Sequence, residues 1–175
     1  MKIRFTKAMT FFVIILSSVF SFANASEISE LMNKINYHFR IINRCVIDQN
    51  LGAYPASHAE QMFELFMKLK SIPVDVTMFD KKINEEKAGL NLSEMELNGL
   101  RGSKLKRWYR YIDSSITETE SLIKYLNWLD FHVSWGIVDE LAKIRDRAHF
   151  EFFPSVENGP VRPREPVECA PFSGY

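Results

Sequence analysis

Histidine and carboxylate side chains supply most acid–base catalysts and most metal ligands in proteins. The chain has four histidines, His38, His58, His132 and His149. None lies in an H-E-x-x-H pattern, and His149-x-Glu151 offers two ligands where a mononuclear zinc site needs three or four. We therefore predict no metal site. His149 is interpreted as a polar residue near a helix end, and His38 as a half-buried residue beside an apolar helix stripe.

Glu120-Ser121 is similar to the Glu-Ser pair of lytic transglycosylases. Glycoside cleavage needs a carboxylic acid with a raised pKa, usually opposite a second carboxylate. The aromatic and glycine-rich segments expected after such a pair are missing from the sequence, and Glu120 is also the partner of Thr117 in a capping-box pattern. Nucleophile-elbow, phosphate-loop, dinucleotide-binding and haem-attachment motifs are absent from the sequence as well. We predict no catalytic residues, no cofactor and no enzymatic activity.

A basic and aromatic segment occupies residues 101–111, RGSKLKRWYRY. Its first ten positions hold five cations and no acid. Arginine, tyrosine and tryptophan are enriched at protein interfaces and at their energetic hot spots. The alternative is a solvated helix face with the tryptophan in the core. We predict a partner-binding surface made of Arg101, Lys104, Arg107, Trp108, Tyr109, Arg110 and Tyr111.

The last 22 residues, 154–175, contain five of the seven prolines. Proline fixes φ and lacks an N–H, so this segment is predicted to be an extended arm rather than helix or central strand. A proline-stiffened arm loses little conformational entropy on docking, so it could enter a partner's cleft. The alternative is an arm that merely covers the helices. The predicted contact residues of the arm are Arg162, Arg164, Glu165 and Tyr175, with Phe172 beside them.

Cys45 and Cys169 are the two cysteines of the chain. An exported protein with two cysteines more often pairs them than leaves both free. A bridge would tie the arm to the first helix. It would close a loop of about 125 residues, which is worth on the order of 4 kcal/mol of chain entropy. The alternative is two unpaired, partly buried thiols.

Residues 1–25 have the pattern of a cleaved export signal. Three cations and no acid precede the apolar stretch 9–22, and Ala23-Asn24-Ala25 matches the A-x-A cleavage pattern. The apolar stretch is shorter than the ~20 residues of a membrane-spanning helix. We predict cleavage between Ala25 and Ser26, and a periplasmic or secreted protein without stable membrane insertion. The alternative is an uncleaved N-terminal anchor.

Composition then limits the class of protein. Without residues 1–25, the chain has 150 residues, 19 basic and 22 acidic, which gives a net charge of −3. That length corresponds to one ordinary domain with a real core. The hydrophobic fraction of 46 % and the charged fraction of 25 % are typical of globular proteins. These values argue against a strongly basic nucleic-acid binder and against a multi-domain enzyme.

The elements that position these residues are predicted to be helices. Apolar residues recur at spacings of three and four from residue 28 onward, beginning with a stripe over residues 28–49. Gly136 is the expected division of the apolar pattern that follows Thr117. We predict an all-α domain of five or six helices, bundle-like, over residues 26–153. The predicted helix starts are the capping boxes Ser57-x-x-Glu60, Ser93-x-x-Glu96 and Thr117-x-x-Glu120, and the predicted ends are Pro73 and Gly89.

In size, export signal and composition the chain resembles the periplasmic immunity proteins that protect bacteria from toxins delivered by type VI secretion. Those proteins are small, exported, often helical and often disulfide-stapled, and they block the active site of a toxin. The resemblance implies a non-enzymatic protein with a protein partner, and it carries no functional residue onto this sequence. Two alternatives stay open. One is a small-molecule or envelope-stress sensing module with an apolar pocket between helices. The other is a secreted effector or weak cell-wall hydrolase with two carboxylates in a cleft.

Overall fold

The structure is a computed structural model that describes the backbone of residues 5–153 and 168–169, and the side chains of residues 26–153 and 168–169. No strand occurs in this part of the chain, so the prediction of a single all-α domain with five or six helices is confirmed. The described helices are α1 (Phe5–Ile47), α2 (Ala53–Ser71), α3 (Asp80–Glu86), α4 (Glu94–Asn127) and α5 (Phe131–Phe152), with a 3-10 turn over Val76–Phe79 before α3.

Four long helices form an up-and-down bundle. α2 packs against both α1 and α4, and α4 packs against α5, whereas α1 meets α5 over a smaller area. Lys68, near the end of α2, pairs with Glu27 of α1, which lies far from the α1 end at Ile47. The Lys68 Nζ and Glu27 Oε1 atoms are 3.4 Å apart. Lys70 pairs with Asp113 on α4, with Nζ and Oδ1 2.7 Å apart. Both ion pairs are exposed and contribute little stability. Together with the contact of Gly52, just before α2, with Leu129, just after α4, they show that α2 runs antiparallel to its two neighbours.

The core follows the predicted apolar stripes. On α1 the buried side chains recur at helical spacing, as the sequence predicted, and they face buried residues of α2, α4 and α5. Ile42, Met62, Leu122 and Leu126 are completely inaccessible to solvent. The buried residues of α1 are Ile28, Leu31, Ile35, Phe39, Ile41, Ile42, Cys45 and Val46.

One predicted capping box begins a helix and two do not. At the start of α4, Ser93 Oγ accepts a hydrogen bond from Glu96 N at 3.4 Å, and Ser93 N donates to Glu96 Oε2 at 2.8 Å. The predictions for Ser57 and Thr117 were wrong. α2 already begins at Ala53, and Thr117 lies inside α4, where its Oγ1 donates to the Asp113 carbonyl at 3.1 Å. The same S/T-x-x-E spacing fits a helix interior, because a hydroxyl can bond back to the carbonyl four residues earlier.

The long apolar pattern after Thr117 divides at a turn, not at a glycine. α4 ends at Asn127 and α5 begins at Phe131, with Asp130 as N-cap, whose carboxylate accepts from Val133 N. Gly136, the predicted division, lies within α5. The predicted ends of the shorter elements are confirmed, since α2 ends before Pro73 and Gly89 follows α3 with a φ of 87°.

Candidate functional site

The predicted basic and aromatic surface lies in the first half of α4, and much of it serves to hold the fold together. The Arg101 guanidinium pairs with Asp80 at the start of α3, with Nε donating to Oδ1 at 2.7 Å. Lys104 is 3 % exposed, and its ammonium donates to Glu86 Oε1 and to the Glu151 carbonyl, both at 2.8 Å. These contacts fasten α3 and the end of α5 to α4.

Glu151 joins two further residues of the predicted surface. Its Oε1 atom lies 2.6 Å from Arg107 Nε, an ion pair without hydrogen-bond alignment. Its Oε2 atom accepts from the Tyr111 hydroxyl at 3.1 Å. Burial, together with this hydrogen bond, raises the pKa of Tyr111. Arg101, Lys104 and Arg107 are therefore all matched by carboxylates of the same chain.

Trp108 belongs to the core. It is 3 % exposed and lies in a cluster with Phe79 and Phe152, with ring centroids 6.4 Å and 5.4 Å away. Tyr111 meets Phe152 edge-on from the other side at 5.7 Å. Trp108 and Lys104 therefore do not belong to an exposed surface. The alternative interpretation of the sequence placed this tryptophan in the core, and that is where Trp108 lies.

One cation of the predicted surface, Arg110, is exposed. Lys106, one helical turn earlier and not part of the prediction, is exposed as well, and Tyr109 is half-buried between them. These three line a shallow groove on α4 together with Asp113 and Glu118. The four predicted contacts of the arm, Arg162, Arg164, Glu165 and Tyr175, lie outside the described residues, as does Phe172.

The predicted disulfide is present. Cys45 and Cys169 are joined across a separation of 124 residues, and Asn50 Nδ2 donates to the Cys169 sulfur at 3.2 Å. The bond fixes this point of the arm beside the turn between α1 and α2. It therefore lies at the end of the bundle that also carries the turn between α4 and α5, where Leu129 faces Gly52.

The sequence analysis did not identify a set of apolar residues at this end, which we call the turn patch: the exposed Trp128, Leu129 and Trp135, with the half-buried Phe131 beside them. Trp128 is 64 % exposed, Leu129 62 % and Trp135 46 %. The Phe131 ring lies 6.3 Å from that of Trp135, and the Lys124 ammonium lies over the Trp128 ring at 4.4 Å. The available signal was two tryptophans within eight residues, but the apolar pattern after Thr117 was predicted to continue as helix through this turn.

Backbone strain accompanies the turn patch. Leu129 has a φ of 59°, the left-handed conformation that favours glycine. Leu129 N donates to Leu126 O at 3.2 Å and Asp130 N to Tyr125 O at 3.1 Å, which is the Schellman ending of a helix. A branched apolar residue at this position is unfavourable, and the conformation directs a large side chain into solvent. Such outliers cluster at functional sites.

A histidine pair is the second feature that the sequence did not reveal. His38 on α1 is half-buried, as predicted, and its Nδ1 lies 2.8 Å from Nδ1 of His58 on α2. The Tyr54 ring meets His58 edge-on at 4.8 Å, and Tyr37 covers the pair at 5.3 Å from His38. Burial lowers the pKa of both histidines, and the charge of His58 lowers that of His38 further. The pair therefore favours a neutral state in which one ring donates and the other accepts.

An apolar cleft of about 420 Å³ opens among α1, α2, α4 and α5. Its walls are largely apolar and include Phe39, Phe66 and Leu141. Exposed polar residues of α1 and α5, such as Asn33 and His149, lie at its opening. Glu120, the carboxylate of the transglycosylase-like pair, is exposed on α4 and does not line the cleft.

Within the described part of the chain, no helix is long and apolar enough to cross a membrane. The same residues contain no group of three or more histidine, cysteine, aspartate or glutamate side chains that could hold a metal ion. No family model, curated protein or solved structure matches the chain.

Proposed function

We propose that the chain is an exported, non-enzymatic protein that binds and inhibits a protein partner, in the manner of an immunity protein against a periplasm-acting toxin. The observation that carries this proposal is the turn patch. Trp128 and Leu129 each expose more than half of their surface, at 64 % and 62 %. Contiguous exposed apolar patches mark interaction sites, and tryptophan is enriched among binding hot spots.

Contacts within the chain order the turn patch in the absence of a partner. Its backbone is fixed by the Schellman hydrogen bonds of Leu129 and Asp130 and by the Asp130 cap on Val133. The Trp128 ring is held between the Lys124 ammonium and the Tyr125 ring, whose centroid is 5.6 Å away. Side chains that are already ordered lose little entropy on docking, which favours affinity.

The charges beside the turn patch favour a protein over a lipid surface. Lys124 is the cation next to Trp128, and Asp130 lies in the turn itself. Peripheral membrane binding combines apolar insertion with several cations that face anionic headgroups. A mixed, nearly neutral rim around aromatic residues is the composition of a protein interface.

Export to the periplasm is part of the proposal. The signal pattern of residues 1–25 ends in Ala23-Asn24-Ala25, and the first buried core side chain after it is Ile28. The Cys45–Cys169 disulfide also supports an oxidising compartment, because such bonds are rare in the cytosol. Tyr109, Arg110 and the arm remain predicted contacts with the partner.

The test compares two variants in the strain that encodes the chain. Trp128→Ala removes the most exposed aromatic ring of the turn patch, and Met95→Ala, which is 84 % exposed at the start of α4, is the matched control. A strain lacking the chain is expected to lose in contact-dependent competition with its parent. Wild type and Met95→Ala restore fitness, and Trp128→Ala does not. Equal fitness of the deletion strain and its parent would contradict the immunity role.

A further inference from the structure

We propose that the apolar cleft among α1, α2, α4 and α5 is a binding site for a single-chain neutral amphiphile, with its hydrocarbon chain inside and one uncharged polar head group at the opening. The inference is independent of the turn patch, because Trp128 and Leu129 do not line the cleft. It gives the chain a second ligand, of a different chemical class from its proposed protein partner.

The cleft has the size of a small-molecule site and one open side. Its volume of about 420 Å³ lies within the range of roughly 300–1,000 Å³ that ligand pockets occupy. Its lining residues on α2, Met62, Phe66 and Leu69, are all buried. The exposed lining residues, such as Asn33 and His149, belong to α1 and α5, and these two helices meet over a small area. The cleft is therefore open between α1 and α5, with α2 and α4 behind it.

The polar side chains inside the cleft are already bonded or inaccessible. Ser115 Oγ donates to the Tyr111 carbonyl at 2.9 Å, and the Tyr111 hydroxyl donates to Glu151 Oε2 at 3.1 Å. The Trp108 indole N–H lies below the accessible surface, so a ligand does not reach it. A polar group placed in this interior loses its water without gaining a hydrogen bond. The inner part of the ligand is therefore hydrocarbon.

The opening combines neutral amides with a matched pair of charges. On α5, Arg145 Nη2 lies 2.7 Å from Asp146 Oδ1, so this cation and this anion neutralise each other. On α1, Asn33 is exposed and Asn36 is half-buried, and neither amide has a hydrogen-bond partner among the described residues. An amide both donates and accepts, so it pairs with a hydroxyl, ester or amide head group. A charged head group would meet a like charge at this opening.

The experiment titrates the full mature chain, with its disulfide intact, with four small probes in a calorimeter. 1-Octanol is expected to bind about 15-fold more tightly than 1-hexanol, because each methylene that enters an apolar site raises the affinity about fourfold. Octanoate and octylammonium carry the same chain with a charged head group. Each is expected to bind about threefold more weakly than 1-octanol, because it places a charge beside a like charge at the opening.

Substitutions locate the head group and the chain. Asn36→Ala is expected to lower the affinity for 1-octanol about two- to tenfold, through loss of one hydrogen bond. Asn91→Ala is the matched control, since Asn91 is exposed and does not line the cleft. Ala148→Trp, which fills the cleft from α5, is expected to abolish binding of both alcohols. Trp128→Ala is expected to bind 1-octanol like wild type, which separates this site from the turn patch.

A measurement on wild type does not depend on the folding of a variant. Nuclear Overhauser contacts are expected between the octyl chain of 1-octanol and the side chains of Phe66 and Leu141, and none with Trp128. Absence of binding, equal affinity for 1-hexanol and 1-octanol, or contacts with Trp128 alone would overturn the proposal. Tighter binding of either ion than of 1-octanol would refute the neutral head group. Binding only after reduction of the Cys45–Cys169 bond would also overturn the proposal, by assigning the cleft to the C-terminal arm.

Discussion

Replacing Leu129 by glycine separates the binding role of the turn patch from its contribution to folding. The left-handed conformation of Leu129, with φ 59°, costs an L-residue about 1–2 kcal/mol. Glycine relieves that strain. It also gives the unfolded chain more conformational freedom, which lowers the free energy of unfolding by about 0.4–1 kcal/mol. The lost apolar contact also counts against glycine. Leu129 is 62 % exposed. Removal of its side chain is therefore expected to lower the free energy of unfolding by about a third of the ~1.5–3 kcal/mol that a fully buried leucine contributes.

These opposing contributions nearly cancel. We expect the free energy of unfolding of Leu129→Gly to lie within about 1 kcal/mol of wild type, measured by urea denaturation with the disulfide intact. Partner binding is expected to be lost, because the leucine side chain is gone from the centre of the turn patch. A variant that folds normally but fails to bind is the signature of a residue kept for binding.

Gln49 provides the matched control. It ends α1 in the same Schellman arrangement, with a φ of 55° and an exposed side chain. Gln49→Gly relieves the same strain without losing a buried contact, so we expect it to stabilise the fold by about 0.5–1 kcal/mol. If Gln49→Gly destabilised the chain, the strain argument would be refuted. If Leu129→Gly cost more than about 2 kcal/mol, Leu129 would be a structural residue.

Three further predictions concern the contacts that hold the bundle. Replacing both Cys45 and Cys169 by alanine is expected to lower the free energy of unfolding by about 4–5 kcal/mol, because the unfolded chain regains the entropy of the long loop; a loss under about 1 kcal/mol in calorimetry would contradict it. Glu151→Gln is expected to lower the free energy of unfolding by about 1–2 kcal/mol in urea denaturation, because a neutral amide pairs less strongly than a carboxylate with Arg107 and Tyr111 of α4. The lowered pKa values of His38 and His58 mean that the unfolded chain binds more protons in acid. Stability is therefore expected to fall as the pH drops from the ordinary value of 6.5 through the lower folded values.

One substitution tests the histidine prediction. His58→Gln is expected to flatten the pH dependence between pH 7.5 and pH 5, because it removes one titrating ring of the pair and the charge that lowers the pKa of His38. An equal or steeper decline in His58→Gln than in wild type would show that other groups cause the acid sensitivity.

Helix content, the stripe of α1 and the disulfide were predictable because they depend on local periodicity and on the number of cysteines. Helix boundaries were less predictable, as Thr117 shows. A Thr-x-x-Glu spacing marks a helix start only if the preceding residues are not already helical, and here α4 had begun at Glu94. Tertiary packing decides this, and it has no short-range signature.

The predicted interaction segment shows a different limit. The sequence displays the cations of residues 101–110 without their partners, which come from α3 and from the end of α5. Lys104 and Arg107 looked available for a partner because Glu86 and Glu151 are distant in sequence. The turn patch was hidden for a different reason. Leu129 fits the apolar helical pattern that was predicted to continue after Thr117, and only the turn at Leu129 places this side chain in solvent.

Site-specific photo-crosslinking in the envelope of the native strain tests the central claim most directly. A photoreactive phenylalanine analogue is placed at Trp128, and at Met95 as the control, in the full-length chain. The proposal predicts a crosslink from position 128 to one defined protein that is absent from the control, is lost in Leu129→Gly, and has an activity that the purified chain inhibits. No product from position 128, or the same products from both positions, would contradict the claim that the turn patch binds an inhibited protein partner.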